Sequence, residues 1–422
     1  MDQALTMLPF NNASASFQMA SAGQETDTPT SAVMFWKQND STLYGRRHEL
    51  IARHLARQPK IKKVLLVDAP ISLQRLRLLK EESRPLTQSP WIYARSLERT
   101  FGQFDSEKLV FTNFIYDENT FAHGDRLSAS QKLLECYFEF LDELFAREGI
   151  EAKQSDFWFY PINYRAPALI KHFTPRRVIT DIVDDQRTWP GTPKAQVDEM
   201  SRNYAEVLAA SDIVMCNCEP VRQRFSPLFS NIHLIENGED PHPPQAAKPT
   251  HPLYKEMTAW GGQVIGYVGN LEAKMDMELL EKISRQLPDS LLVLIGSTHA
   301  NQAVLKLLKL PNVRMPGVVP YEEVGAWVKA FDVGIVPHKR SAQTAHMHPL
   351  KTYVYLRHGI PVVHTDLENI GMPHKLMHCA QTHDEFVRKI KLCGQKKDAL
   401  PGQSVGFTKN DNFLEKIVAN LL

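Results

Sequence analysis

The sequence predicts an α/β protein built as two doubly wound domains in tandem. Three observations carry this. Short apolar runs alternate with amphipathic helical stretches over residues 32–235. A proline-rich segment, PHPPQAAKPTHP at 241–252, then breaks the pattern. The alternation restarts at Val264 and runs to Val363. Strands separated by helices favour a parallel sheet covered on both faces, and a proline-rich run between two such units reads as a linker. The expected organisation is a disordered tail at 1–30, a first domain over 31–240, the linker at 241–252, a second domain over 253–400 and a terminal helix within 401–422.

In the first domain AVMFW (32–36) is the opening strand, and 43–57 is a helix with Leu50, Ile51 and Leu55 on one face. VLLV (64–67) is a continuous apolar run, as expected of a strand buried on both sides. Residues 71–105 read as a helix followed by an irregular connection, 109–114 as a strand, 117–126 as a turn holding His123, and 128–147 as an amphipathic helix. Strands follow at 156–160, 177–181, 212–216 and 232–235, with helices at 166–172, 194–209 and 219–229 between them. In the second domain, strands at 264–268, 291–295, 313–315, 333–336 and 361–363 alternate with helices near 275–286, 301–309, 321–330 and 349–357. The last helices are expected at 383–392 and 411–421.

Composition narrows the function. Lysine plus arginine (49) balance aspartate plus glutamate (48), so no global charge argues for nucleic acid. Five cysteines, with only a CxC at Cys216 and Cys218, read as reduced thiols of a cytoplasmic protein. No apolar run reaches the roughly 18–20 residues of a membrane span. Residues 1–30 lack the basic start and apolar core of a signal peptide.

In open parallel sheets ligands collect at the carboxyl ends of the strands, and four features of the second domain fall there. Gly269 and Asn270 follow a strand and precede Lys274; glycine lets the backbone approach a phosphate, and the other two can donate to it. Ser297 follows LLVLIG. His338 and Lys339 form a basic loop after DVGIV. Lys351 occupies the first turn of the helix in HPLKTYVYLRHGIPVV (348–363), where unpaired N–H groups favour an anion. Each has a plainer reading as a tight turn or a solvated side chain. Together they suit a diphosphate. In the first domain Asp184 and Asp185 end the strand VITDIV; they suit a general base, because crowded carboxylates shift each other's pKa, or a helix cap. No cysteine or carboxylate completes a metal set around His346 and His348, so no metal is expected.

These segments resemble glycosyltransferases of the GT-B fold, in particular the family 4-like group that includes teichuronic acid biosynthesis enzymes. VIGYVGN looks like the Gly loop of the donor domain, LPDSLLVLIGS its second strand, and LPNVRMPGVVPYEEVGAWVKAFDVGIVPHKR the segment that packs on the donor base. HPLKTYVYLRHGIPVV looks like the group's signature helix. In the first domain GRRHELIARHLAR, VITDIVDD, SDIVMCNCEPVRQRF and NIHLIENGED agree, so the likeness spans roughly 32–370. It implies that Val318 contacts the base and that Pro349, Leu350, Lys351 and Tyr353 line the donor. It also implies hexosyl or glucuronosyl transfer from a nucleotide sugar to a polysaccharide or lipid-linked saccharide, with no cofactor.

The group carries two glutamates eight positions apart, the second holding the donor ribose. Counting back from Gly359 puts Val354 at that second position and His346 at the first. Xanthan-type glucuronosyltransferases lack that glutamate and are a second lineage to consider. The competing function is a catalytically inactive GT-B scaffold that binds a nucleotide or a partner. A sugar-nucleotide epimerase fits less well, because no GxGxxG follows an early strand. The basic, aromatic stretch 91–104 is a candidate for peripheral contact with the inner face of the cell membrane.

Overall fold

The computed structural model describes residues 30–394 and 413–421, except 83, 85, 122–125, 239, 241, 245–246 and 372–373. The expectations for 1–29, for His123 and for 401–412 lie outside the described residues.

Seven strands form the first sheet: β1 (Thr30–Phe35), β2 (Ile61–Ser72), β3 (Leu109–Tyr116), β4 (Ser155–Phe159), β5 (Arg177–Ile182), β6 (Ile213–Cys216) and β7 (Ile232–Leu234), in the order β3-β2-β1-β4-β5-β6-β7. Six form the second: β8 (Val264–Val268), β9 (Leu291–Ile295), β10 (Val313–Gly317), β11 (Val333–Val336), β12 (Val362–Thr365) and β13 (Met377–Ala380), in the order β10-β9-β8-β11-β12-β13. All their pairings are parallel. Both are doubly wound sheets, with topological switch points between β1 and β4 and between β8 and β11.

The apolar runs are continuous because both faces are covered. Along β1, Ala32 and Met34 pack with Trp158 on one side of the sheet, while Val33 and Phe35 pack with Phe157 and Phe159 on the other. That is the period of two expected of a strand. In the second domain Ile265 and Tyr267 of β8 join Leu292 and Leu294 of β9, while Val264 joins Leu291, Val293 and Ile295 on the opposite face.

Several elements depart from the sequence reading. Residues 71–105 hold two helices, Leu73–Lys80 and Ser89–Thr100, rather than one helix and an irregular connection. The second lacked a clear apolar stripe because it buries Ser96 and Arg99; the Arg99 guanidinium pairs with Asp68 at 3.1 Å. In the same helix Arg95 bonds Glu98 at 3.0 Å. Among the described residues no helix is long and apolar enough to cross a membrane. Residues 302–309 are a 3₁₀ helix, and the helix Pro252–Thr258 starts where the linker was expected to end, capped by His251. The strand β13 was not anticipated. The last helix, Phe413–Leu421, returns to the first domain, where Phe413, Leu414 and Ile417 pack with Leu50, Ile51 and Leu55.

Candidate active site

Residues just beyond β1, β5, β6 and β7 face residues beyond β8, β9 and β10 across one cavity of about 720 Å³. The two domains are joined around it. Asn237 donates its backbone N–H to His348 Nδ1 (3.1 Å) and its amide to the His348 carbonyl (2.6 Å). Asp240 accepts from the Tyr321 hydroxyl at 3.2 Å, and the Leu86 carbonyl accepts from Thr298 N–H at 3.0 Å.

The wall from the second domain centres on Lys351. Its helix, Lys351–Arg357, begins two residues after Pro349 and ends at Gly359, whose N–H donates to Leu356 O (2.9 Å) while Ile360 N–H donates to Tyr355 O (3.0 Å). This paired closure is the glycine-terminated C-cap that the sequence suggested. The Lys351 ammonium lies 4.9 Å from the Tyr267 ring centroid and, among the described residues, has no hydrogen bond or ion pair. A Cβ at Gly269 (φ 136°) would lie 3.0 Å from Lys351 Cε, and one at Gly296 would lie 2.1 Å from Gly269 O. The two loops therefore fit together, with Lys351 above them, only as glycines. Burial, reinforced by Lys274, pulls the Lys351 pKa down to about 7. Lys274 lines the cavity and pairs with Glu272 at 2.9 Å.

Of the other residues picked out for donor binding, Gly269, Asn270, Val318, Pro349, Leu350 and Tyr353 line the cavity with Lys351 and Lys274. Ser297, His338 and Lys339 do not. Ser297 is buried and accepts from Gln88 N–H and His299 N–H, both at 3.1 Å, so its hydroxyl fixes an interdomain loop. His338 is 2% exposed, 3.3 Å from the Tyr267 hydroxyl, and held neutral by burial and by Lys351 and Lys274. The Tyr267 hydroxyl donates to Asn270 O at 3.1 Å, so it accepts from His338 Nε2–H. His338 thus props the ring beneath Lys351. Lys339 is exposed and meets this region only through its N–H, which donates to Lys274 O at 2.8 Å. Val354 lines the cavity and packs in the apolar cluster behind it.

In the wall from the first domain, three neighbouring aspartates have three different surroundings. Asp181 is fully buried and pairs with Arg47 Nε at 2.8 Å, while Arg47 Nη1 donates to Asn237 Oδ1 at 3.1 Å. Removing one partner from such a buried pair strands the other charge. Asp181→Ala is expected to lower unfolding free energy by about 3–5 kcal/mol in a urea titration; an unchanged midpoint would contradict this assignment. Asp185 is fully buried, caps the turn Gln186–Thr188 through Arg187 N–H (3.1 Å) and binds the Arg187 guanidinium by both oxygens at 2.9 Å. It does not line the cavity, so the capping reading fits it and the base reading does not. Asp184 does line the cavity. Its φ is 61°, rare for a non-glycine residue, and its Oδ1 accepts from Asn217 Nδ2 at 3.0 Å. Burial raises its pKa, opposed by that hydrogen bond and by the Lys37 and Lys274 charges.

The sequence reading missed the residues that surround Asp184. Lys37 follows β1 and lines the cavity with Trp36, Arg46 and His48. The His48 ring stacks on Trp36 with centroids 3.6 Å apart. Ser41 Oγ donates to Asp68 at 2.5 Å and accepts from His48 Nε2–H at 3.0 Å, which leaves His48 Nδ1 unprotonated. The strand-end rule that flagged Gly269 would also have flagged Lys37. Among the described residues no group of three His, Cys, Asp or Glu side chains is placed to hold a metal ion.

Residues 262–393 match the family described as Glycosyl transferases group 1. A glycosyltransferase of Bacillus subtilis (strain 168) named for teichuronic acid biosynthesis, TuaH, is 25% identical over 244 residues, which are 56% of this chain and 55% of that protein. The chain therefore spans about half the length of this curated relative. Among solved structures, Anabaena HepE in complex with UDP and glucose is similar with a TM-score of 0.58 at 14% identity, covering 92% of this chain and 99% of that one. Sucrose-phosphate synthase from Thermosynechococcus elongatus is similar with a TM-score of 0.56 at 14% identity, covering 92% and 94%. Residues 262–393 thus form a Glycosyl transferases group 1 domain, set in a chain of GT-B fold.

Proposed function

We propose that the chain is a glycosyltransferase that moves a hexosyl or glucuronosyl group from a nucleoside diphosphate to a saccharide hydroxyl. The observation that carries this is the desolvated Lys351 ammonium, without an ion-pair partner among the described residues, lining the same cavity as Asp184 from the other domain. In the proposed reaction the acceptor oxygen bonds to the anomeric carbon, the bond from that carbon to the diphosphate breaks, and its electron pair leaves on the diphosphate oxygen. Asp184 takes the acceptor proton. Lys351 and Lys274 meet the charge that grows on the leaving group, so no metal is needed for that step. HepE, solved in complex with UDP-glucose as well as with UDP and glucose, supports UDP as the first nucleotide to test. The teichuronic acid relative supports a polysaccharide or lipid-linked acceptor.

The test is calorimetric titration of nucleoside diphosphates, UDP first, across pH. The anion binds the ammonium form of Lys351, whose pKa in the unliganded protein is about 7. Affinity is therefore full below pH 7 and falls above it by up to about tenfold per unit, because binding must then take up a proton. The second phosphate ionisation near 6 weakens UDP below that pH. Glu272, its pKa lowered against burial by the neighbouring Lys274 charge, stays ionised in this window and His338 stays neutral. Absence of binding by every nucleoside diphosphate would overturn the donor reading. Val354, where the resemblance calls for a ribose-holding glutamate, favours one other reading: a GT-B scaffold that binds nucleotide without turnover. UDP binding with no transfer or hydrolysis of UDP-sugars would select it.

A further inference from the structure

Lys37 is not used by the chemistry above. It follows β1 at the switch point of the first sheet and lines the cavity, its ammonium 5.4 Å from the Trp36 ring centroid. Among the described residues it makes no hydrogen bond and no ion pair. Its cationic neighbours are committed elsewhere. Arg46 pairs with Asp40 at 2.8 Å and donates to Gln38 at 2.7 Å, and Arg47 pairs with Asp181. Lys37 and Lys351 line the same cavity from different domains, and Asp184 feels the charges of both Lys37 and Lys274. The charges acting on Lys37 are Asp184, Arg46, Asp40 and Asp181, all from the first domain; those acting on Lys351 are Lys274 and Glu272, both from the second.

We propose that Lys37 is the receptor for a second anion, a carboxylate or phosphate carried on a sugar beside Asp184, and that the protein selects acidic over neutral sugars through it. The proposal rests on the donor reading above, which assigns the diphosphate to the opposite wall. A partly buried ammonium with no partner is costly to maintain. Burial pulls its pKa down to about 8, and a sugar-borne anion beside it would favour the ammonium form. The anion can sit on the transferred sugar or on the acceptor; the chemistry at Lys37 is the same.

The experiment is calorimetry on the full chain and on its Lys37→Met and Lys37→Arg variants. One arm compares UDP-glucuronate with UDP-glucose. The other compares free D-glucuronate and glucose 6-phosphate with D-glucose, with and without saturating UDP. The acidic member of at least one pair is expected to bind about tenfold more tightly or better. A preference in the first arm puts the anion on the transferred sugar; one in the second puts it on the acceptor. Lys37→Met should erase the preference and Lys37→Arg keep it, while UDP affinity stays unchanged and the melting temperature does not fall. No preference in either arm, or a preference that survives Lys37→Met, overturns the proposal. Failure of UDP alone to bind would count against the donor reading. The free-sugar series without UDP would still decide on Lys37.

Discussion

Lys351→Ala is expected to lower kcat/KM for sugar transfer by about 10²–10³-fold, the range for losing one preorganised donor to a developing oxyanion. Most of the loss should fall on kcat, because charge on the diphosphate grows as its bond to the sugar breaks. The fold should survive. The Lys351 head touches the Tyr267 ring and has no other polar partner among the described residues, so truncation removes a desolvated charge without orphaning a group. Melting temperature should be unchanged or slightly higher. Gly269→Ala tests the same geometry independently, since its Cβ would press on Lys351 Cε at 3.0 Å and force a backbone with φ 136° on a side chain. UDP titration of Lys351→Ala should also lose the decline in affinity above pH 7. Steady-state transfer by Lys351→Ala at the wild-type rate would remove this residue from the mechanism.

The strands could be read from sequence because each is buried on both faces, so apolar runs such as VLLV and LLVLI are uninterrupted. The carboxyl-end rule then gave the correct edge for Gly269, Asn270, Lys274 and Lys351. It could not give side-chain direction. His338 and Lys339 follow one strand, yet one lies under Tyr267 and the other is in solvent. Asp184 and Asp185 are adjacent, yet a left-handed residue turns one toward the cavity and leaves the other against Arg187. That turn depends on Asn217, which comes from the loop after β6 and is distant in sequence. Lys37 was open to the strand-end rule, but Arg46 and His48 stand at the start of the helix Arg47–Leu55, and only the fold brings them to the same cavity as Asp184. The return of Phe413–Leu421 to the first domain is likewise a tertiary choice, since an amphipathic face by itself does not name the core it covers.

Asp184→Asn is expected to lower kcat by about 10²–10⁴-fold, the contribution of a positioned general base, with nucleotide affinity unchanged. The substitution isolates the proton from the geometry. Asparagine is among the residues that best tolerate a left-handed backbone, so φ 61° adds little strain. Its amide can still exchange hydrogen bonds with Asn217, which now donates to Asp184 Oδ1 at 3.0 Å. Burial raises the pKa of this carboxyl. A base must be ionised, so activity is present above that pKa and lost as pH falls through it, and Asp184→Asn should abolish this acidic limb of the kcat profile. The control is Asp185→Asn. It weakens a two-oxygen ion pair with Arg187 and should lower stability by about 1–3 kcal/mol while leaving kcat near wild type at permissive temperature. If Asp184→Asn retains kcat within about threefold, well short of a base's contribution, Asp184 is a positioning group. His48, whose Nδ1 lacks a proton, would then be the alternative base to test among the cavity residues.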